Sequence, residues 1–248
     1  MNKGAKMNRV ATGIKGLDEL MEGGFPENRS VLITGGCGTG KTILSMQFLY
    51  NGATKFKEPG LYVTLDERPE LIREDVKRFG WDVAKLEEKK MLTILDGTII
   101  MRTFEGKKIS PEEKIEQLIN EIIRETKKIK AKRLVIDSLP AIGFQYSEKA
   151  EVRKAILKLA FMLDRTGLTS ILTSEINEGS NSYGKFGVEE FVADGVIVLH
   201  YMGIGTQSNR TLHIRKMRST KHSEDLHPIK ITDKGIEIHS LSEEYEKT

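Results

Sequence analysis

Eight consecutive residues, Gly35-Gly36-Cys37-Gly38-Thr39-Gly40-Lys41-Thr42, constrain this chain more than any other segment. They satisfy G-x-x-x-x-G-K-[ST], a pattern that belongs between a strand and a helix. A glycine-rich turn there lets backbone N–H groups face phosphate oxygens with no side chains in the way. The candidate nucleotide contacts are Gly36, Cys37, Gly38, Thr39, Gly40, Lys41, Thr42 and Ile43. Lys41 supplies a cation at the β- and γ-phosphates, and the Thr42 hydroxyl is placed to ligate Mg²⁺. The helix that starts here adds its positive N-terminal end. Cys37 reads either as a small residue that fits, or as a thiol made acidic by that helix end.

The flanks of the motif set the architecture. VLIT (31–34) is an apolar run that stops at glycines, as a buried parallel strand does. A helical stretch follows at 42–55, and GLYVTL (60–65), MLTILD (91–96), LVID (134–137) and SILTS (170–174) repeat the strand signal. PELIREDVKRFG (69–80) reads as a helix ending on Gly80. Ser110-Pro111-Glu112-Glu113 is a capping box with proline at the first helical position. Behind it Ile115, Leu118, Ile119, Ile122, Ile123 and Ile129 keep a 3.6-residue period. A further helix at 148–165 ends before Gly167.

Such alternation means βα units around a parallel sheet. The C-terminal part differs. GVIVLHY (195–201), TLHIRKM (211–217), IKIT (229–232) and IEIH (236–239) have no helices between them, and the last two flank a Lys-Gly turn. The expected fold is therefore α/β: a parallel central sheet flanked by helices, with antiparallel C-terminal edge strands. No linker or repeat interrupts it, so the expectation is one domain over 9–241, a loose arm at 1–8 and an acidic tail at 242–248.

Composition narrows the partners. Lys and Arg number 39 against 36 Asp and Glu, a net charge of +3 over 248 residues, too weak to announce a nucleic-acid or membrane partner. One cysteine excludes a disulfide framework and a Cys-based zinc site. No run of about 18 apolar residues predicts a membrane helix. MNKGAKMNR has no apolar stretch behind it to make a secretory signal, so a cytoplasmic location is expected. A charged share of 30% with four Gln fits a heat-adapted source.

Two further features bear on chemistry. In Leu134-Val135-Ile136-Asp137, branched aliphatics lead to an acid at the carboxyl end of a strand. Asp137 reads as a holder of the Mg²⁺ hydration shell, or as an acid that caps the following turn. Asp66-Glu67 ends the strand GLYVTL, at the edge of a parallel sheet where ligands bind. A carboxylate there polarises a water for in-line attack. The pair reads equally as two solvated acids opening a helix.

Together these residues resemble KaiC-type ATPases of the RecA superfamily. The resemblance rests on TGIKGLDEL (12–20), GGFP (23–26), the phosphate loop, VTLDERPE (63–70), FGWDVAKL (79–86), VIDSL (135–139), YGKFGVEEFVADGV (183–196), IRKMRSTKH (214–222) and ITDKGI (231–236). It covers about 9–240, a single unit where the cyanobacterial clock protein carries two, and resembles the archaeal type. It implies a RecA-type P-loop NTPase fold and a homohexameric ring with ATP at each interface. It further implies Mg²⁺-dependent hydrolysis of ATP to ADP, with a regulatory or signalling output. By the resemblance, Lys41, Asp66 and Glu67 are the catalytic residues, and Thr42 and Asp137 hold the metal. It also implies that a neighbouring subunit supplies Lys216, Met217, Arg218, Thr220, His222 and Asp233 in trans.

Two departures matter. The family's general base is the first acid of a Glu-Glu pair, and here that position is Asp66, one methylene shorter; slow hydrolysis is expected. Glu190-Phe191 stands where the clock protein's kinase half carries Ser-Thr, so no self-phosphorylation is expected there.

RecA relatives include DNA-strand-exchange proteins, and a DNA-dependent recombinase-type ATPase is the alternative reading; a nucleotide-binding scaffold with negligible turnover is another. The loop Gly143–Tyr146 carries aromatics but no cation, and Asn177–Gly187 sets Lys185, Tyr183 and Phe186 among acids. That is a thin electrostatic funnel for single strands. The run Lys127-Lys128-Lys130-Lys132-Arg133 sits at a helix end, where cations favour the dipole and are usually solvated.

Overall fold

A strand flanked by parallel neighbours must offer apolar side chains to both faces of the sheet. The computed structural model, which describes residues 7–102, 110–176, 182–204 and 207–239, shows how this chain does so. Most of the expected arm, all of the tail and residues 177–181 of the expected second loop lie outside the described residues.

In chain order the elements are β1 (Arg9–Val10), β2 (Phe25–Pro26), β3 (Ser30–Gly35), α1 (Lys41–Asn51), β4 (Gly60–Thr64), α2 (Pro69–Lys77), α3 (Val83–Glu88), β5 (Leu92–Asp96), α4 (Gly97–Arg102) and α5 (Pro111–Ile129). They continue as β6 (Arg133–Asp137), α6 (Pro140–Gly143), α7 (Lys149–Asp164), β7 (Thr169–Ser174), α8 (Glu189–Val192), β8 (Gly195–Ile204), β9 (Gln207–Met217), β10 (Leu226–Thr232) and β11 (Gly235–Ile238). Nine strands form one sheet in the order β11-β10-β9-β8-β3-β7-β6-β4-β5, and β1 pairs with β2 apart from it. The six strands from β8 to β5 are parallel. β9, β10 and β11 extend the sheet antiparallel, as expected.

Period-two alternation divides the apolar side chains between two cores. Val31, Ile33, Tyr62, Val135, Ile171 and Ile197 face α1 and α2, packing against Leu44, Phe48, Ile72 and Val76. Leu32, Leu61, Val63, Leu134, Ile136 and Leu172 face α5 and α7, against Leu118, Ile122, Ile156 and Leu159. The capping box forms: the Glu113 amide donates to Ser110 Oγ (3.2 Å) and the Ser110 amide to Glu113 Oε2 (2.8 Å).

Three expectations are corrected. GVIVLHY does not join the antiparallel strands: β8 is parallel to β3, and among the described residues of its crossover only the short α8 is helical. The β10–β11 turn is centred on Asp233-Lys234, and Gly235 opens β11 at φ +112°. A side chain at Gly235 would collide with Gln47 and Trp81. Gln47 of α1 also clamps the strand, donating to the Ile236 carbonyl (3.1 Å) and accepting from its amide (2.7 Å).

The third concerns Arg133, which belongs to no solvated run: it is 1% exposed. Its guanidinium pairs with Glu58, donates to the carbonyls of Phe48 and Ala11 at 2.9 Å each, and lies 4.5 Å from the Phe48 ring centroid. Gly52 leaves room for it, since a Cβ there would fall 2.6 Å from Arg133 Cδ. There α1 ends at Asn51 and the chain makes a widened turn over Gly52–Phe56. Arg133 thus fastens the N-terminal segment, α1 and β6 together. Arg133→Met should cost about 3–5 kcal/mol in denaturant unfolding, because Glu58 and two carbonyls lose their donor. A loss below about 1 kcal/mol would show that the tie is dispensable.

Candidate functional site

The carboxyl ends of β3, β7, β6 and β4 lie side by side, and the loops that leave them enclose a cleft of about 630 Å³. Ligands of open α/β sheets bind at this edge. The candidate nucleotide residues from Cys37 to Ile43 line it, with Asp66, Glu67 and Asp137. Gly36 adjoins them in the exposed part of the same loop.

The loop's shape comes from its glycines. Gly38 and Gly40 hold φ of +71° and +102°, which side chains other than glycine's resist. Gly35 needs its hydrogen for another reason: a Cβ would fall 2.2 Å from the Leu199 carbonyl oxygen. Thr39 Oγ1 donates to the Gly36 carbonyl at 3.0 Å. Lys41 Nζ donates to the carbonyls of Gly35 and Gly36, each at 2.9 Å. Burial lowers the Lys41 pKa, and the charges of Glu175 and Asp137 oppose that shift.

Asp137, the last residue of β6, gathers three donors. Its Oδ2 accepts from Thr42 Oγ1 at 2.9 Å and from the Tyr62 phenol, and its Oδ1 accepts from Thr173. Tyr62 is buried, and burial together with Asp137 pushes its pKa well up, so it stays a protonated donor. The capping alternative does not describe Asp137, since its side chain makes no cap to α6.

Asp66 and Glu67 follow β4 and precede α2, whose N-cap is Arg68 without a side-chain cap. Ser138 Oγ donates to Asp66 Oδ2. Asp66 opens on the cleft, yet the protein crowded round its carboxyl raises its pKa; Ser138 opposes that, and the charges of Asp137 and Glu175 add to it. The Glu67 pKa is raised as well, by burial first and then by the charge of Asp75. The Glu67 amide and carbonyl both engage Thr64 Oγ1, which fixes the turn.

The remaining residues lie elsewhere. Met217 pairs with Gly195, which pairs with Val31, so β9 ends at the amino edge of β3, opposite the phosphate loop. Lys216 Nζ donates to the carbonyls of Glu190 and Ala193, and burial lowers its pKa. Arg218 pairs with Asp194 at 3.3 Å while its side chain stays 56% exposed. Met217 is buried in the core, so its side chain has no free surface to offer. Thr220 accepts from Arg9, and His222 Nδ1 sits 2.9 Å from the Ser223 carbonyl. Asp233 is not with them; it occupies the β10–β11 turn, near Ile231, which lines this chain's own cleft.

The sequence reading missed several cleft residues. Glu175 follows β7, and an acid directly after a strand run is the same signal that marks Asp137. Ser138 adjoins Asp137. Arg210 gives no local signal: it reaches in from β9, donates Nε to the Gly38 carbonyl at 3.1 Å, and lies 4.5 Å from the Tyr201 ring. Ile43, Ile72 and Ile231 form apolar walls, with Arg78 beside them. Among the described residues no His/Cys/Asp/Glu cluster could hold a metal on its own, and no helix is long and apolar enough to cross a membrane.

The sequence matches the family described as ATPase: KaiC over residues 10–243. The UPF0273 protein PH0284 of Pyrococcus horikoshii is 42% identical over 235 residues, covering 93% of this chain and 94% of that one. The circadian clock oscillator protein KaiC of Synechococcus elongatus is 39% identical over 233 residues, 94% of this chain but 44% of that protein. The chain thus spans about half the length of the KaiC relatives it matches. The crystal structure of the KaiC-like protein PH0186 from Pyrococcus horikoshii superposes with a TM-score of 0.84 at 41% identity, over 95% of this chain and all of that one.

Neighbouring glycines in the loop should behave differently. Gly35→Ala should lower unfolding stability by about 1–3 kcal/mol, because the Leu199 backbone must yield. Gly36→Ala, with nothing within 4 Å of the added carbon, should stay within about 0.5 kcal/mol of the parent. Equal effects in a denaturation series would refute this account of the loop.

Proposed function

The chain belongs to the KaiC family of ATPases, and from that premise we propose that it binds ATP with Mg²⁺ in the cleft and hydrolyses it slowly to ADP and phosphate. The observation that carries this reading is the 2.9 Å hydrogen bond between Thr42 and Asp137 at the mouth of the phosphate loop. A hydroxyl and a carboxylate are the hard oxygen donors that Mg²⁺ takes, and so few protein ligands suit an ion that keeps several waters. Held by Thr42 and Asp137, Mg²⁺ would supply positive charge against the phosphates of the bound nucleotide.

The chain's own groups do the rest. Backbone N–H groups from Gly36 to Ile43 cradle the phosphates, and Lys41 turns from the loop carbonyls to the β- and γ-oxygens. The walls of Ile43, Ile72 and Ile231 receive the base. Ser138 holds one oxygen of Asp66, so the other is left to accept a proton from the attacking water. Asp66 is one methylene shorter than the family's glutamate, which favours low turnover, and Glu67 stands beside it as a second carboxylate.

Lys216 and Arg218 lie at the wrong end of β3 to serve their own cleft. They reach a nucleotide on a neighbouring copy, an arrangement that a homohexameric ring repeats at every interface. Arg218 is the freer of the two. A cation at the developing γ-phosphate charge is worth orders of magnitude in rate. Thr220 and His222 accompany them, while Asp233 fits its own cleft better. Regulation or signalling through the ring is the proposed output.

Phosphate release from ATP and Mg²⁺ should vanish in Lys41→Ala and be indifferent to single-stranded DNA. Strong stimulation by DNA would favour the recombinase-type alternative, and no release from the parent chain would leave a nucleotide-bound scaffold. Mixing Lys41→Ala with Arg218→Ala subunits should restore part of the turnover, since each supplies what the other lacks. Mixed assemblies with no recovery would sink the shared site.

Asp66 must be ionised to act as base and its pKa is raised, so turnover should fall on acidification at a pH above the ordinary carboxylate value of about 4. Asp66→Asn should flatten that limb and lower turnover by roughly 10²–10⁴.

A further inference from the structure

β6, β4 and β5 are adjacent and parallel, so the loops entering them meet at one end of the sheet, opposite the cleft. Backbone contacts bring them together: the Gly60 amide donates to the Met91 carbonyl at 3.0 Å, and the Lys132 amide to the Pro59 carbonyl at 2.8 Å. Each loop is basic. Lys57 precedes β4, Lys89 and Lys90 precede β5, and Lys127, Lys128, Lys130 and Lys132 precede β6; all seven are exposed. Only Lys128 has an ion-pair partner among the described residues, the buried Glu125. Of the acids nearby, Glu58 is committed to Arg133 and Glu87 to Arg73, which leaves Glu88. This small region therefore holds more positive charge than the +3 of the whole chain.

Lysines at helix C-termini are ordinary, since they offset the dipole. Here the dipole accounts for each helix end singly, not for the meeting of three such ends at one edge of the sheet. Lys57, Lys90 and Lys130 all sit at left-handed positions, with φ of +60°, +57° and +55°, where glycine or asparagine is the easier residue. All three chain reversals carry a cation instead.

We infer that this surface binds the phosphate backbone of double-stranded nucleic acid, without reading its sequence. The surface is rich in lysine and holds one exposed aromatic, Phe56 at 39%, which lies against Arg133. Surfaces for folded protein partners show the reverse, with aromatics and arginine enriched and lysine depleted. Single strands need stacking platforms, which these loops lack. Duplex phosphates need only cations at suitable spacing. The surface faces away from the nucleotide cleft, so binding proceeds without ATP turnover.

The test is fluorescence anisotropy of a labelled mixed-sequence duplex DNA, with duplex RNA, single-stranded DNA and polyglutamate as parallel arms. Duplex DNA should bind, and the slope of log K against log salt should be roughly −3 to −5, as expected for four or five phosphates. The variant Lys89→Glu/Lys127→Glu/Lys132→Glu avoids the left-handed positions; it should weaken binding tenfold or more while keeping the parent's melting temperature and ATP turnover. Lys149→Glu/Lys154→Glu on α7 should bind like the parent, and so should Lys41→Ala, which separates this surface from the ATPase site. Duplex RNA bound as well as duplex DNA would support a backbone reader common to both; RNA bound far more weakly would assign the surface to DNA. No duplex binding, equal losses in both lysine variants, or polyglutamate or single strands bound as tightly as duplex would overturn the proposal.

Discussion

One carboxylate holds the working edge of this protein together. Asp137 ends β6, and its two oxygens take hydrogen bonds from Tyr62 of β4, Thr173 of β7 and Thr42 of α1. Three strands and the phosphate helix thus meet on one charge. Hydrogen bonds to an ionised acceptor are worth about twice those between neutral groups. The strand ends are fixed relative to the loop by this charge as much as by the ladder, and the adjoining Ser138 sets Asp66 in the same frame.

The second fixed point is Arg133, at the other end of the same strand. A buried guanidinium is tolerable only where every side of it is met, and here a carboxylate, two carbonyls and two aromatic rings meet it. β6 is thereby anchored at both ends by charge, with Leu134, Val135 and Ile136 buried between them. An acid faces the cleft and a base faces the N-terminal segment.

The sequence disclosed the parts whose physics is local. The glycine spacing of the phosphate loop, the capping box at Ser110 and the aliphatic runs of β3, β4, β6 and β7 are short-range signals, and each stands where it was read. What stayed hidden depends on contacts between distant segments. Arg133 looked like the last of a basic run because nothing near it in sequence says that Glu58, Phe48 and Ala11 converge on it. Arg210 belongs to an antiparallel strand and comes to the phosphate loop only through sheet order. The parallel direction of β8 is concealed because, among the described residues, no long helix marks its crossover, and nothing local tells that the hairpin sets Asp233 at the sheet edge opposite Lys216.

The clamp between Gln47 and Ile236 links residues 189 positions apart. During synthesis the phosphate helix emerges long before the strand that seals its flank. Long-range pairing of this kind makes a slow, late folding step. A nascent chain therefore carries a nucleotide loop long before it carries the strand that finishes the site.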